Sequence, residues 1–180
     1  MENKFSGAVT LGYASIFISF WVTYMMVAGW LSGPDIGKAS MPLYIIFGGI
    51  MLAIAGFFCF FNEGTKTDAL VFWLVGGLNF SYALRFMWYA NISANSNPAA
   101  IDGWIFFVFA LVICYLWLSS MKGNVVKGLF MLGLWLTFLA IAIYNWFSIQ
   151  ALSYVAAYLG LITALLAGWY SYTTVMNKGS

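Results

Sequence analysis

No charged residue occurs between residues 128 and 177, a run of 50 residues. Hydrocarbon offers a backbone amide no partner, so a spanning chain must satisfy its own N–H and C=O groups, most simply as a helix. One membrane helix needs about 20 apolar residues. The run is too long for one crossing and predicts two, folded back on each other. The polar cluster Asn145-Trp146-Phe147-Ser148-Ile149-Gln150 is the natural break. Two further charge-free stretches, residues 5–34 and 39–62, are each long enough for one crossing. Composition agrees: the chain is 64% hydrophobic and 7% charged, far from the balance of soluble domains.

Charges and turn formers divide the chain into helices over 9–31, 42–61, 68–89, 103–120, 126–144 and 151–176. The expected fold class is an all-α integral membrane protein, a six-transmembrane-helix bundle forming a single domain over 1–180. Gly33 and Pro34 stand where the first helix should stop, and Asn62-Glu63-Gly64 where the second should. Asp68 suits the start of the third, where a carboxylate meets the positive end of the helix dipole. Residues 90–102 form the sizeable loop, and Met121-Lys122-Gly123-Asn124 a short turn. With the N-terminus in the cytoplasm, Lys4, Lys66, Lys122, Lys127 and Lys178 all fall inside, against Lys38 and Arg85 outside. That bias puts both termini on the cytoplasmic side. Trp30, Trp88, Tyr89, Trp104 and Trp146 then gather near the outer boundary as an aromatic belt. The expected location is a cell membrane, the prokaryotic inner membrane by preference.

Two helices carry ridges of small residues. Gly48, Gly49, Ala53 and Gly56 recur at offsets of three and four on the second, and Ala156, Gly160, Ala164 and Gly168 at offsets of four on the last. Such ridges let another backbone approach closely, within a protomer or between protomers. On the first helix Gly12, Ser15 and Ser19 share a face with Thr23 close by, fit for a polar path or for close packing. Arg85 either snorkels to the headgroups or faces an aqueous vestibule.

Residue types then exclude most chemistry. The chain has no His, which removes imidazole metal ligands and the usual proton shuttle. Cys59 and Cys114 sit within apolar runs, as small hydrophobes do. No Asp, Glu, His or Lys falls inside a helix in this segmentation; Asp68 and Asp102 lie at ends. Catalysis, a covalent cofactor and a metal are therefore not expected, and any proton should travel on the solute rather than on a protein relay. The net charge of +2 gives no footprint for nucleic acid. A conduit for a small solute fits what remains, with polar lining from Ser15, Asn79, Thr137 and Asn145. The competing class is a structural or assembly membrane protein that moves nothing.

The order Phe47-Gly48-Gly49, Ala55-Gly56, a turn with Gly64, and Gly76 on the third helix resembles the acetate uptake transporter family. Lys122-Gly123, Leu134, Ala142, Asn145 and a Gly-rich last helix extend the resemblance over most of the chain. That family includes the succinate–acetate permeases and the yeast ammonia/acetate exporters. Its signature Asn-Pro-Ala-Pro-Leu-Gly-Leu is replaced here by the segment Gly7-Ala8-Val9-Thr10-Leu11-Gly12-Tyr13, which keeps Leu11-Gly12 alone. The resemblance implies a homo-hexamer in the lipid bilayer with a pore in each protomer, passing a small monocarboxylate such as acetate, or succinate. It implies an apolar constriction from helices one, three and five: Phe17 (Ile16 if the register shifts by one), Val75 where the family has Tyr, and Leu134. Ordinary helix packing is the competing reading of each. The urea/amide channels, also six-helical hexamers, are the alternative family for a neutral solute.

The topology is directly testable. Single cysteines at Asn62 and Asn124 in a Cys-free background should label only from the cytoplasm, and one at Ser96 only from outside. Labelling of the Asn124 position from outside would overturn the arrangement.

Overall fold

The computed structural model describes residues 6–33, 36–62, 65–89, 99–120 and 123–176, and these are helical throughout apart from short turns. Helix α1 is Ser6–Val27. One segment follows as α2 (Ile36–Ile45), a π-helical stretch (Ile46–Met51) and α3 (Leu52–Phe60). Then come α4 (Lys66–Tyr89), α5 (Ala99–Ser120), α6 (Val125–Phe147) and α7 (Gln150–Met176). Five stretches, Gly7–Val27, Ala39–Phe60, Ile101–Ser119, Val125–Phe147 and Gln150–Met176, are long and apolar enough to cross a bilayer. The protein is a multi-pass membrane protein. Helix α4 has 24 residues, length enough to span, but Lys66, Asp68, Asn79 and Arg85 make it more polar than the others.

Several boundaries differ from the sequence expectation for local reasons. α1 ends at Val27 rather than residue 31, because Gly29 adopts φ +77° and the amides of Trp30 and Leu31 turn back to the Met25 carbonyl. Glycine reaches that left-handed conformation without a steric penalty, so it closes the helix ahead of Gly33-Pro34. The next segment starts at Ile36 rather than 42 and carries Pro42 inside α2. Proline removes one backbone donor from the ladder, and the π-helical stretch begins four residues later. α6 continues through Asn145, whose Nδ2 donates to the Ile141 carbonyl at 3.0 Å instead of breaking the helix. It ends at Ser148, in a left-handed conformation, with α7 starting two residues on. At its start Asn124 Oδ1 caps α6, accepting from the amides of Val126 (2.8 Å) and Lys127 (3.3 Å).

Both small-residue ridges pack within the protomer. A Cβ on Gly48 would lie 2.9 Å from Cβ of Asn79, one on Gly49 2.9 Å from the Phe80 ring, and one on Gly76 3.0 Å from Cβ of Leu52. The π-helical stretch therefore presents two consecutive glycines to α4, and their backbones meet where side chains would clash. On α7, a Cβ at Gly160 would overlap the Tyr24 ring, and one at Gly168 would stand 3.2 Å from the Phe17 ring. Ser171 Oγ ties the same interface by donating to the Thr10 carbonyl at 3.0 Å. α1 against α7, α5 against α6, α6 against α7 and α3 against α4 are the main helix pairs. Large apolar side chains elsewhere, among them Phe57, Phe61, Tyr115 and Trp169, face outward, as a lipid-facing surface requires.

Gly160→Val should push Tyr24 out of place and cost about 1–3 kcal/mol, the usual range for overpacking. Gly128→Ala, where a Cβ meets nothing within 4 Å, should be neutral or slightly stabilising. Thermal unfolding in detergent compares the two; equal effects would show that the α1–α7 contact does not hold the bundle.

Candidate functional site

α1, α4 and α6 begin at the same end of the bundle. The Tyr13 hydroxyl of α1 donates to Asp68 Oδ1 of α4 at 2.6 Å, and Lys127 Nζ of α6 lies 2.8 Å from the same oxygen. From there three buried stripes climb in parallel. On α1 they are Tyr13, Ile16 and Phe20; on α4 Asp68, Phe72, Val75 and Leu78; on α6 Lys127, Phe130, Leu134 and Phe138. Every apolar or aromatic member is at most 6% exposed. The steps of three and four residues keep each stripe on one helix face. Rings lock the lower part: Tyr13 meets Phe72, Phe130 and Tyr170 edge-on, with centroids 5.1, 5.2 and 4.6 Å away. The Phe72 ring lies where a side chain at Gly12 would be. From Lys127 to Phe138 the column covers about 16 Å of helix axis at about 1.5 Å per residue.

Above the column the helices part around a cavity of about 340 Å³, floored by Phe20, Leu78 and Phe138. That size is at the lower end for small-molecule pockets, roughly 300–1,000 Å³. Its wall is mostly apolar with polar groups set into it: Thr23, Ser40, Asn79, Tyr82, Asp102, Tyr144, Asn145 and Ser153. Thr23 and Ser19 donate their hydroxyls to carbonyls of their own helix, at 2.6 and 3.3 Å. Asn79 differs, for its Nδ2 is buried and meets no hydrogen-bond partner among the described residues. A buried amide donor left so is costly unless water or a solute supplies an acceptor.

Of the polar lining expected from the sequence, Asn79 and Asn145 come together in the cavity wall. Ser15 and Thr137 are enclosed elsewhere, at 1% and 0% exposure. Thr137 Oγ1 donates to the Gly133 carbonyl at 2.7 Å and is satisfied within α6. Val75 and Leu134 stand in the column below the cavity, whereas Phe17 turns to α7 against Gly168; Ile16 is the enclosed residue of α1 at that level. Arg85 is carried on α4, but its side chain lies outside the described residues. Cys59 and Cys114 are free thiols.

Sequence reasoning missed the Tyr13–Asp68–Lys127 cluster. Asp68 does sit in the first turn of its helix, yet it is 2% exposed, because α1 and α6 close over that turn. A helix end is not a solvent position when neighbouring helices extend past it. The signal was present: helices one, three and five start on one side, so the third residues of α4 and α6, opposite in charge, had to lie at similar depth.

The architecture is that of an all-α, multi-pass membrane protein. It superposes on the bacterial acetate channel SatP with a TM-score of 0.85, covering 96% of this chain and 93% of that one at 18% identity, a likeness of fold. In sequence it is 29% identical over 190 residues to Ammonia transport outward protein 3 of Saccharomyces cerevisiae, matching 99% of this chain and 66% of the yeast protein's length. No family model matches the chain. The likenesses are thus one of sequence to a yeast transport protein and one of fold to a bacterial channel.

Asp68→Ala leaves Lys127 without its counter-charge. The expected loss is about 3 kcal/mol, the low end for a broken buried pair, since Lys127 retains 15% exposure. Adding Lys127→Met should recover part of it. Chemical or thermal unfolding checks both variants, and a double variant no better than the single would show the pair is not coupled.

Proposed function

We propose that this protein is a channel or transporter for a small monocarboxylate such as acetate, with its own pathway in each protomer. The observation that carries the reading is the stacking of a part-polar cavity directly on a closed three-helix apolar column. The cavity offers amides and hydroxyls to a solute leaving water. The column beneath, with Val75, Leu134 and Ile16 or Phe17 as its waist, resists hydrated ions because water does not wet so narrow an apolar passage. The relatives' names, an acetate channel and an ammonia transport protein, support a transported solute over a catalysed reaction.

The reading carries with it six membrane crossings, α4 being the sixth, both termini in the cytoplasm, and a homo-hexamer in a prokaryotic inner membrane. The column then ends at the cytoplasmic side and the cavity opens outward. Arg85, placed by the sequence near the outer end of α4, would contribute a vestibule charge.

Flux into liposomes of acetate, succinate, urea and glycerol separates the readings. Acetate uptake above protein-free liposomes is expected. Urea uptake without acetate would instead indicate a neutral-solute channel, and no uptake of any of the four would indicate an assembly protein.

The waist has its own test. Leu134→Ala should raise uptake of solutes larger than acetate, measured as initial rate per folded protein. If Leu134 is packing alone, the change should cost about 2–5 kcal/mol of stability and leave size selectivity unchanged.

A further inference from the structure

The cluster at the foot of the column is a built carboxylate site whose present occupant belongs to the protein. A hydroxyl from α1 and an ammonium from α6 converge on one oxygen of a carboxylate, at 2.6 and 2.8 Å. Both distances are those of charge-assisted hydrogen bonds. The donors come from two different helices and the acceptor from a third. Asp68 and Tyr13 are 2% and 0% exposed, while Lys127 reaches the aqueous edge at 15%. For stability alone the arrangement is a poor device, because an apolar trio of similar volume stabilises as well or better. Its position is more telling than its strength. It closes the lower end of the column on which the cavity rests, where a solute that has passed Phe72 and Phe130 must leave.

We propose that Tyr13 and Lys127 form a binding site for the carboxylate of a small monocarboxylate, held closed by Asp68, and that the solute passes this end by taking Asp68's place. This deepens the monocarboxylate reading above and rests on it. The exchange balances if Asp68 accepts one proton from the aqueous edge. Its carboxylate becomes a neutral acid, the Lys127 ammonium keeps its three protons, and the solute anion becomes its counter-charge. When the anion leaves, Asp68 returns the proton and re-forms the pair. The proton is borrowed from that edge and returned to it, so none crosses with the anion, and acid favours opening. Other titratable groups face Asp68 from the packed elements: Tyr13 from α1, Cys59 from α3, Lys127 from α6 and Tyr170 from α7. Of these Lys127 is the cation, and it pairs with Asp68. Lys66, two residues before Asp68 on α4, is exposed.

The test is chemical rescue, read without transport. Asp68→Ala, purified in detergent at neutral pH, should melt several degrees higher in sodium acetate than in sodium chloride of equal ionic strength. Asp68→Ala combined with Lys127→Met should lose that difference. Wild type, with the pair intact, should show no acetate-specific shift at neutral pH, and the shift of Asp68→Ala should diminish when Tyr13→Phe is added. Folded Asp68→Ala that melts alike in the two salts overturns the proposal. Should that variant not fold, Asp68→Asn takes its place, and equal melting in the two salts overturns the proposal equally. Rescue by acetate without acetate flux in wild-type liposomes would leave this site standing and sink the conduit reading; flux without rescue would do the reverse.

Discussion

A charge held inside an apolar bundle has to be neutralised where it lies, and in this protein Asp68 and Lys127 neutralise each other across the gap between two helices. The pair does more than cancel. With Tyr13 on the same oxygen it fixes how far α1, α4 and α6 slide past one another, because a shift of one turn would move a donor about 5 Å away. Axial register is weakly specified between apolar helices, whose side chains interlock in more than one way. Here one polar contact selects it. The alignment of Ile16 with Val75 and Leu134, and of Phe20 with Leu78 and Phe138, follows from that register.

Glycine sets the lateral dimension as the polar cluster sets the axial one. Gly48, Gly49 and Gly76 bring the second segment onto α4, while Gly160 and Gly168 bring α7 onto α1. The tightly paired outer elements leave α1, α4 and α6 to meet mainly through large central side chains. A column of rings forms there, and a cavity opens where the rings end. The placement of the column and the cavity is thus a result of which helices are allowed to touch and which are kept apart.

Much of this was legible from residue order. The helical membrane class follows from charge-free runs, since lipid leaves a chain few other ways to satisfy its backbone. The two ridges were visible as spacings, though not their partners, because a helix face does not say which neighbour it meets. Asn79 and Asn145 stood out in the sequence because amides are rare in apolar helices, and both stand in the cavity wall. Phe17 and Ile16 could not be separated, since adjacent residues differ by a register that only packing decides. Ser15 and Thr137 look polar in sequence, but Thr137 turns its hydroxyl back onto its own helix. The largest omission, Tyr13 with Asp68 and Lys127, arose from treating helix ends one at a time rather than as a layer of the bundle.

The π-helical stretch at Ile46–Met51 makes the length of its segment matter as much as its composition. Were the same residues to relax into ordinary α-helix, they would wind through about 100° more than they do now. Everything in α3 would then turn by that angle about the helix axis. Gly56, which lies against the Trp73 ring, would rotate away from α4 and Ala55 would come round in its place. Loss of one residue together with that relaxation would restore the phase, because five α-helical residues turn the chain about as far as six π-helical ones. The stretch therefore acts as a phase correction, and the residue count between Pro42 and Phe60 is itself a structural parameter of the protein.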